Sequence, residues 1–263
     1  MSKNIRFFFI FILGFTIYYF FDFFFFKNIQ TFAKNWFHSK AIAHIIAYFV
    51  TLIPLMVTLK ILLPKRNISD LVSLNRPVIK GFSFAVIGTL PMLIGYMIHF
   101  KAVSKINLET LFINTFSSAF FEEIIFRAFL IGALYRFTRL GFLSSALFGS
   151  LLFAQVHLYQ SQNITELIEI FTITFLGSIF FAWAYFESEF NLWTAIFLHF
   201  FMNLYWEIFN ISENVSGNLY GNLYKLISIV VLIAVIIWFK RKNKIPFKVT
   251  WKSLFIKTRE IQS

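Results

Sequence analysis

Eight apolar stretches, each about long enough to cross a bilayer, follow one another along this chain, at about 6–26, 41–63, 81–100, 110–135, 141–159, 165–186, 191–210 and 223–239. A spanning helix needs about 20 mostly apolar residues. In hydrocarbon every backbone N–H and C=O must be paired internally, which leaves only helices and closed barrels. The pattern therefore predicts an all-α fold, a polytopic membrane helix bundle of about eight transmembrane helices. Composition agrees, since 59% of the 263 residues are hydrophobic and only 14% are charged. A soluble domain has roughly 45–50% apolar and about 25% charged residues.

The net charge of +12 fits a membrane better than nucleic acid, because the basic residues lie in the connections and the tail. With eight spans, Lys3, Arg6, Lys65, Arg66, Arg76, Lys80, Arg136, Arg139 and the tail from Lys240 to Arg259 share one side. The other side holds Lys27, Lys34, Lys40, Lys101 and Lys105. The positive-inside rule then puts both termini in the cytoplasm. The expected location is a plasma membrane, bacterial by the Phe-rich, cysteine-free composition, and the absent cysteines exclude thiol catalysis. The first span follows Lys3 and Arg6 as a signal peptide would, but it is too long and lacks a small-residue cleavage site, so it reads as a retained helix. Residues 1–263 read as one membrane-embedded domain, with a motif-bearing core at about 110–210. The basic tail, 240–263, is expected either to lie on the membrane surface or to extend into solvent.

The fourth stretch carries the unusual chemistry. Glu122, Glu123 and Arg127 interrupt a run that is otherwise lipid-soluble. An ionised side chain near the bilayer centre costs about 2.5–3.5 kcal/mol on insertion scales, so each of the three calls for a partner or a task. Glu123 and Arg127 are spaced i, i+4 with the acid first, the favourable order for a pair on one helix face. Glu122 is five residues from Arg127, about 140° round the helix, and is left as an acceptor aimed elsewhere. A structural ion cluster between helices accounts for this stretch equally well.

Two further spans bear on that choice. His157 lies towards the end of the fifth, and His199 and Asn203 share one face of the seventh. A lone membrane histidine is more often a helix–helix hydrogen-bond partner than a catalyst. A glutamate, two histidines and an asparagine from three helices together supply a base, a second proton carrier and two donors for an oxyanion. Other hydrolytic designs are missing: there is no His-Glu-x-x-His pair and no Gly-x-Ser-x-Gly elbow. Asp22 and Asp70 read as a helix end and a loop, and the serines within spans, such as Ser117 and Ser150, read as packing residues. What remains is water activated by a carboxylate with histidine help, with or without a metal. His38, His44 and His99 read as interfacial, and Glu187 and Glu189 as a solvated turn.

Glu122-Glu123-x-x-x-Arg127, Phe153-x-x-x-His157 and His199-x-x-x-Asn203, in that order, resemble the three-motif signature of the CPBP family. That family comprises the type II CAAX prenyl endopeptidases and the bacterial bacteriocin-processing or self-immunity (Abi) proteins. The resemblance covers about 110 to 210 and leaves out the N-terminal third and the tail. It implies an intramembrane endopeptidase in which Glu122 activates water with help from His157, while His199 and Asn203 hold the oxyanion. Glu123 and Arg127 would position the first motif, and Phe153 would pack one turn before His157. The family has been described both as metallopeptidases and as metal-independent glutamate peptidases. Either no cofactor is needed, or His157, His199 and Glu122 ligate a Zn2+ ion. The partners implied are membrane lipid and a membrane-associated peptide or protein substrate. Two alternatives stand beside this: a non-hydrolytic bacteriocin self-immunity protein of the same fold, and a small transporter with Glu122 and the histidines relaying protons.

Overall fold

A computed structural model describes residues 3–257. Its helices are α1 (Lys3–Phe37), α2 (Lys40–Leu62), α3 (Val78–His99), α4 (108–137), α5 (Phe142–Gln155), α6 (Ile164–Glu187), α7 (Leu192–Ile208) and α8 (Leu219–Lys242). Among the described residues there is no strand beyond an isolated bridge between Leu140 and Ile256. Six helices are long and apolar enough to cross a membrane, and α4 and α7 complete the eight. The last two escape a plain hydropathy criterion because α4 carries Glu122, Glu123 and Arg127 and α7 has only 17 residues. The chain is an all-α integral membrane bundle, with the end of α8 and the tail at one face, the end-bearing face.

Each helix has local reasons for its limits. α1 runs on from its apolar part through Lys27–Phe37, where no proline or glycine stops it. Its 35 residues span about 52 Å at 1.5 Å each, against a hydrocarbon core of about 30 Å. Hydropathy marked where the lipid ends, and the helix continues beyond it. The chain then turns at His38, whose φ is +51°, and Ser39 caps α2 by accepting from the Ile42 N–H. Pro54 lacks the N–H that would continue the ladder, and α2 is interrupted at Leu52. Pro91 leaves α3 unbroken, and the Met92 N–H is taken by Ser228 of α8 at 3.0 Å. Close approach of these two helices needs a glycine at position 95, where a Cβ would sit 2.2 Å from the Tyr224 ring.

α4 is the centre of the bundle. All eleven residues from Glu123 to Ala133 are buried, and this segment is π-helical, as is Ile113–Ser117. Such widened turns are rare and recur at functional sites. Here they flank the short α-helical piece that ends at Glu122.

Two expectations fail at the end-bearing face. As far as Lys257 the tail does not extend freely into solvent but packs against the bundle, leaving Trp251, Phe255 and Ile256 exposed, and Arg259 falls outside the described residues. Gly141 and Leu143, at the start of α5, donate their N–H groups to Phe255 and Leu254 at 2.7 and 2.8 Å. The first N–H groups of a helix have no partner within it, and the tail supplies one. The tail is also tied to Glu187, which accepts from the N–H groups of Lys248 and Val249 and pairs with Lys240 at 2.7 Å. Glu187, expected to be solvated, is therefore buried, and Glu189 is paired with Lys240 and Lys248. Asp22 lies within α1, well before its end at Phe37.

Candidate active site

The site is built outward from Glu123. This carboxylate is fully buried and held from two sides, by Arg127 Nε at 3.1 Å on its own helix and by His199 Nδ1 at 2.8 Å from α7. The Arg127 guanidinium lies 4.2 Å from the Phe153 ring centre and 5.1 Å from that of Phe181, between aromatic faces from α5 and α6. Desolvated cation–π contacts of this kind are worth about 2 kcal/mol. The i, i+4 pair expected from spacing is thus present. Its link to His199 is new and carries α7 into the cluster. Phe153 packs on His157 as expected, with ring centres 4.5 Å apart, and also covers Arg127 and approaches His199.

Glu122 is placed differently. Its Oε2 is buried without a hydrogen-bond partner among the described residues and lies 4.0 Å from His199 Nε2. That gap is too long for a direct hydrogen bond and is the kind that a water bridges. The chemistry points the same way. With Nδ1–H donated to Glu123, a neutral His199 turns the lone pair of Nε2 towards Glu122, so two acceptors face each other. A water molecule, with two O–H groups, satisfies both.

His157 sits just past the end of α5, where its Nδ1 donates to the Phe153 carbonyl at 2.7 Å. This bond selects the tautomer that leaves Nε2 as an acceptor. Glu122 and His199 are both within its electrostatic reach. Asn203 lies one turn along α7 from His199, and its amide donates to the Asn114 carbonyl of α4 at 2.9 Å. The Asn114 side chain in turn donates to Glu207 at 2.9 Å. Glu122, Glu123, Arg127 and His199 therefore meet between α4 and α7, His157 adjoins them across the Phe153 ring, and Asn203 cross-links α7 to α4 beside them.

Sequence reasoning missed Asn114, Glu207 and Phe181, and also Tyr18, Tyr48 and Tyr159, all three within electrostatic reach of Glu122. Single tyrosines in a chain with 40 phenylalanines carry no pattern to find them by.

The zinc ligand set allowed by sequence does not assemble. Among the described residues no three His, Asp or Glu side chains are grouped so as to hold a metal ion. The 4.0 Å between His199 Nε2 and Glu122 Oε2 leaves room for an ion between them, but no third donor is grouped with the two among the described residues.

The fold and this cluster define a helical membrane protein with a carboxylate–imidazole centre buried between its spans. Residues 105–205 match the family model of the type II CAAX prenyl endopeptidases, described as Rce1-like. Over that motif-bearing stretch the chain is similar to these proteins, and the match supports the CPBP family and a CAAX-type intramembrane protease fold. No curated protein and no solved structure matches the chain.

Proposed function

We propose that the protein is an intramembrane endopeptidase whose nucleophile is a water molecule held between Glu122 and His199. The observation that carries this reading is the buried, unpartnered Glu122 Oε2 facing His199 Nε2 across 4.0 Å. Glu122 takes a proton from that water, and the hydroxide adds to the carbonyl carbon of the scissile peptide. His157, fixed by the Phe153 carbonyl, offers an alternative acceptor for the water proton. Glu123 accepts from His199 Nδ1 and so holds the imidazole in place, with Nε2 taking the water's second O–H. The second amide hydrogen of Asn203 donates to the developing oxyanion. As the intermediate collapses, the C–N bond breaks and the proton on Glu122 passes to the leaving nitrogen.

The substrate class is a membrane-associated peptide or protein, reached from the lipid or from the end-bearing side. That side is cytoplasmic by the distribution of basic residues, and the membrane is a bacterial plasma membrane. A second reading, a self-immunity protein that binds such a peptide without cutting it, is favoured by the Asn203 amide already bonded to Asn114.

The test compares Glu122→Gln and His157→Gln with the parent protein, for peptide cleavage in detergent and for protection of cells against a membrane-active peptide. A protease loses cleavage in both variants. Protection that survives both substitutions sinks the hydrolytic reading and supports the binding one.

A further inference from the structure

The N-terminal third lies outside the family match, yet α2 reaches the site. It docks on α4 through a ladder of contacts. The Ser39 hydroxyl bonds the Glu109 carboxylate, His44 Nδ1 meets Ser117 Oγ at 2.9 Å, and the Tyr48 ring stacks on Phe121 with centres 4.6 Å apart. The last rung stops one residue short of Glu122. His44 and Ser117, read from sequence as interfacial and packing residues, are thus a polar rung of an interhelical seam.

Tyr48 is held on three sides. Besides Phe121, its ring meets Phe26 and His44 edge-on, each with centres 4.9 Å apart. Tyr48 is half-buried, and its hydroxyl makes no hydrogen bond among the described residues while it lies within electrostatic reach of Glu122. A locked ring with an unspent donor is a preorganised group, the kind that stabilises charge at little reorganisation cost.

Its position relative to Glu122 gives that donor a direction. Phe121 and Glu123 precede and follow Glu122, so they lie about 100° to either side of it round the helix. Phe121 carries Tyr48 and Glu123 carries His199. A peptide carbonyl above Glu122 would therefore have His199 on one side and Tyr48 on the other.

We propose that Tyr48 is a further catalytic residue, whose hydroxyl donates to the scissile carbonyl oxygen as it becomes the oxyanion, from the side opposite His199. The phenol keeps its proton throughout. The carbonyl π bond opens onto the oxygen as the water oxygen bonds to carbon, and the water proton goes to Glu122. This inference rests on the endopeptidase reading.

The experiment uses full-length protein in vesicles of phosphatidylcholine and phosphatidylglycerol, with fluorogenic peptides carrying an acyl anchor. The peptide that the parent protein cleaves fastest is then used with Tyr48→Phe, Tyr48→Leu and Glu122→Gln. Tyr48→Phe keeps the ring stack and removes the donor. It is expected to lower kcat about 10²-fold, the scale for one oxyanion donor, with KM within about twofold and thermal unfolding unchanged. A packing role would spare Tyr48→Phe and lose activity only in Tyr48→Leu, and parental kcat in Tyr48→Phe overturns the proposal. Activity retained in Glu122→Gln, or no peptide cleaved by the parent protein, overturns the endopeptidase reading and this inference with it. Activity lost in Glu122→Gln but intact in Tyr48→Phe overturns this inference alone.

Discussion

Two buried ionic clusters lie in this molecule, one in mid-bundle and one at the end-bearing face, and they are finished to different degrees. At the end-bearing face, Lys240 pairs with Glu187 at 2.7 Å and Glu189 at 2.9 Å, and Lys248 takes the other Glu189 oxygen at 3.1 Å. Two backbone N–H groups complete Glu187. In mid-bundle, Glu123 is held by a hydrogen bond from His199 and by an ion pair with Arg127 at 3.1 Å that is not aligned as a hydrogen bond, whereas the buried Glu122 Oε2 has no hydrogen bond and no cation nearer than His199 at 4.0 Å. Burial and charge are common to both clusters, so neither property marks a site. An open acceptor alone does not mark one either, since Asp22 Oδ1 is also buried without a hydrogen bond; what is particular to Glu122 is that its open oxygen faces a histidine nitrogen, at a cost of about 1–3 kcal/mol if left unpaired.

The largest effect expected is on activity, at Glu122. Glu122→Gln keeps the shape and removes the base, so cleavage should fall by about 10²–10⁴-fold while the thermal midpoint stays within a few degrees of the parent. A large loss of thermal stability would put Glu122 with the finished cluster instead and erase the contrast.

Lys240→Met should do the reverse. Lys240 and Glu187 are both almost fully buried, and removing one partner of such a pair leaves an uncompensated charge, costing about 3–5 kcal/mol. The measurements are chemical or thermal unfolding in detergent, alongside cleavage per folded molecule. Stability should drop and specific activity should hold. Unchanged stability would mean that the tail is not fastened through this pair.

These two clusters also show what a sequence discloses. The eight spans were legible because hydropathy integrates over some 20 residues, and the Glu123–Arg127 pair because i, i+4 spacing is local. The Glu123–His199 bond joins residues 76 apart, and the Lys240 contact with Glu187 joins residues 53 apart. No local pattern announces either. Glu187 looked solvated because its partners arrive from α8 and from the tail, whose sequence left a membrane-surface and a solvated course equally open because accepting N–H groups at the start of α5 leaves no local pattern. Asp22 was misplaced because the polar residues after it ended the apolar run but not the helix. The candidate site was legible as three motifs, and Tyr48 was not, since its contribution lies in a stack against Phe121 from a helix outside them.

A smaller effect tests how Arg127 completes the mid-bundle cluster. Its guanidinium faces Phe153 and Phe181 while Nε reaches Glu123. A lysine keeps the charge but has no planar group to lie on the rings. Arg127→Lys should cost about 2 kcal/mol of stability and lower kcat several-fold by loosening Glu123 and so His199. Full activity with lowered stability would confine Arg127 to packing.

The smallest effect concerns the tail and has a definite sign in pH. Lys257 donates to the Tyr135 carbonyl and lies 4.3 Å from the centre of its ring, and burial pulls its ammonium from the ordinary lysine range down to about 8. The folded value lies below the unfolded one, so between about pH 8 and 10 the detached tail binds more protons than the docked one. Docking is penalised below pH 8, and the penalty fades as pH rises through that value. Trypsin cleavage at Lys252, normalised to a free reference peptide, should therefore slow between pH 7 and pH 9. In Lys257→Met the slope should vanish and protection at pH 7 should increase. The same slope in that variant would mean that another group sets the pH response, and the end-bearing cluster would then be less complete than its hydrogen bonds indicate.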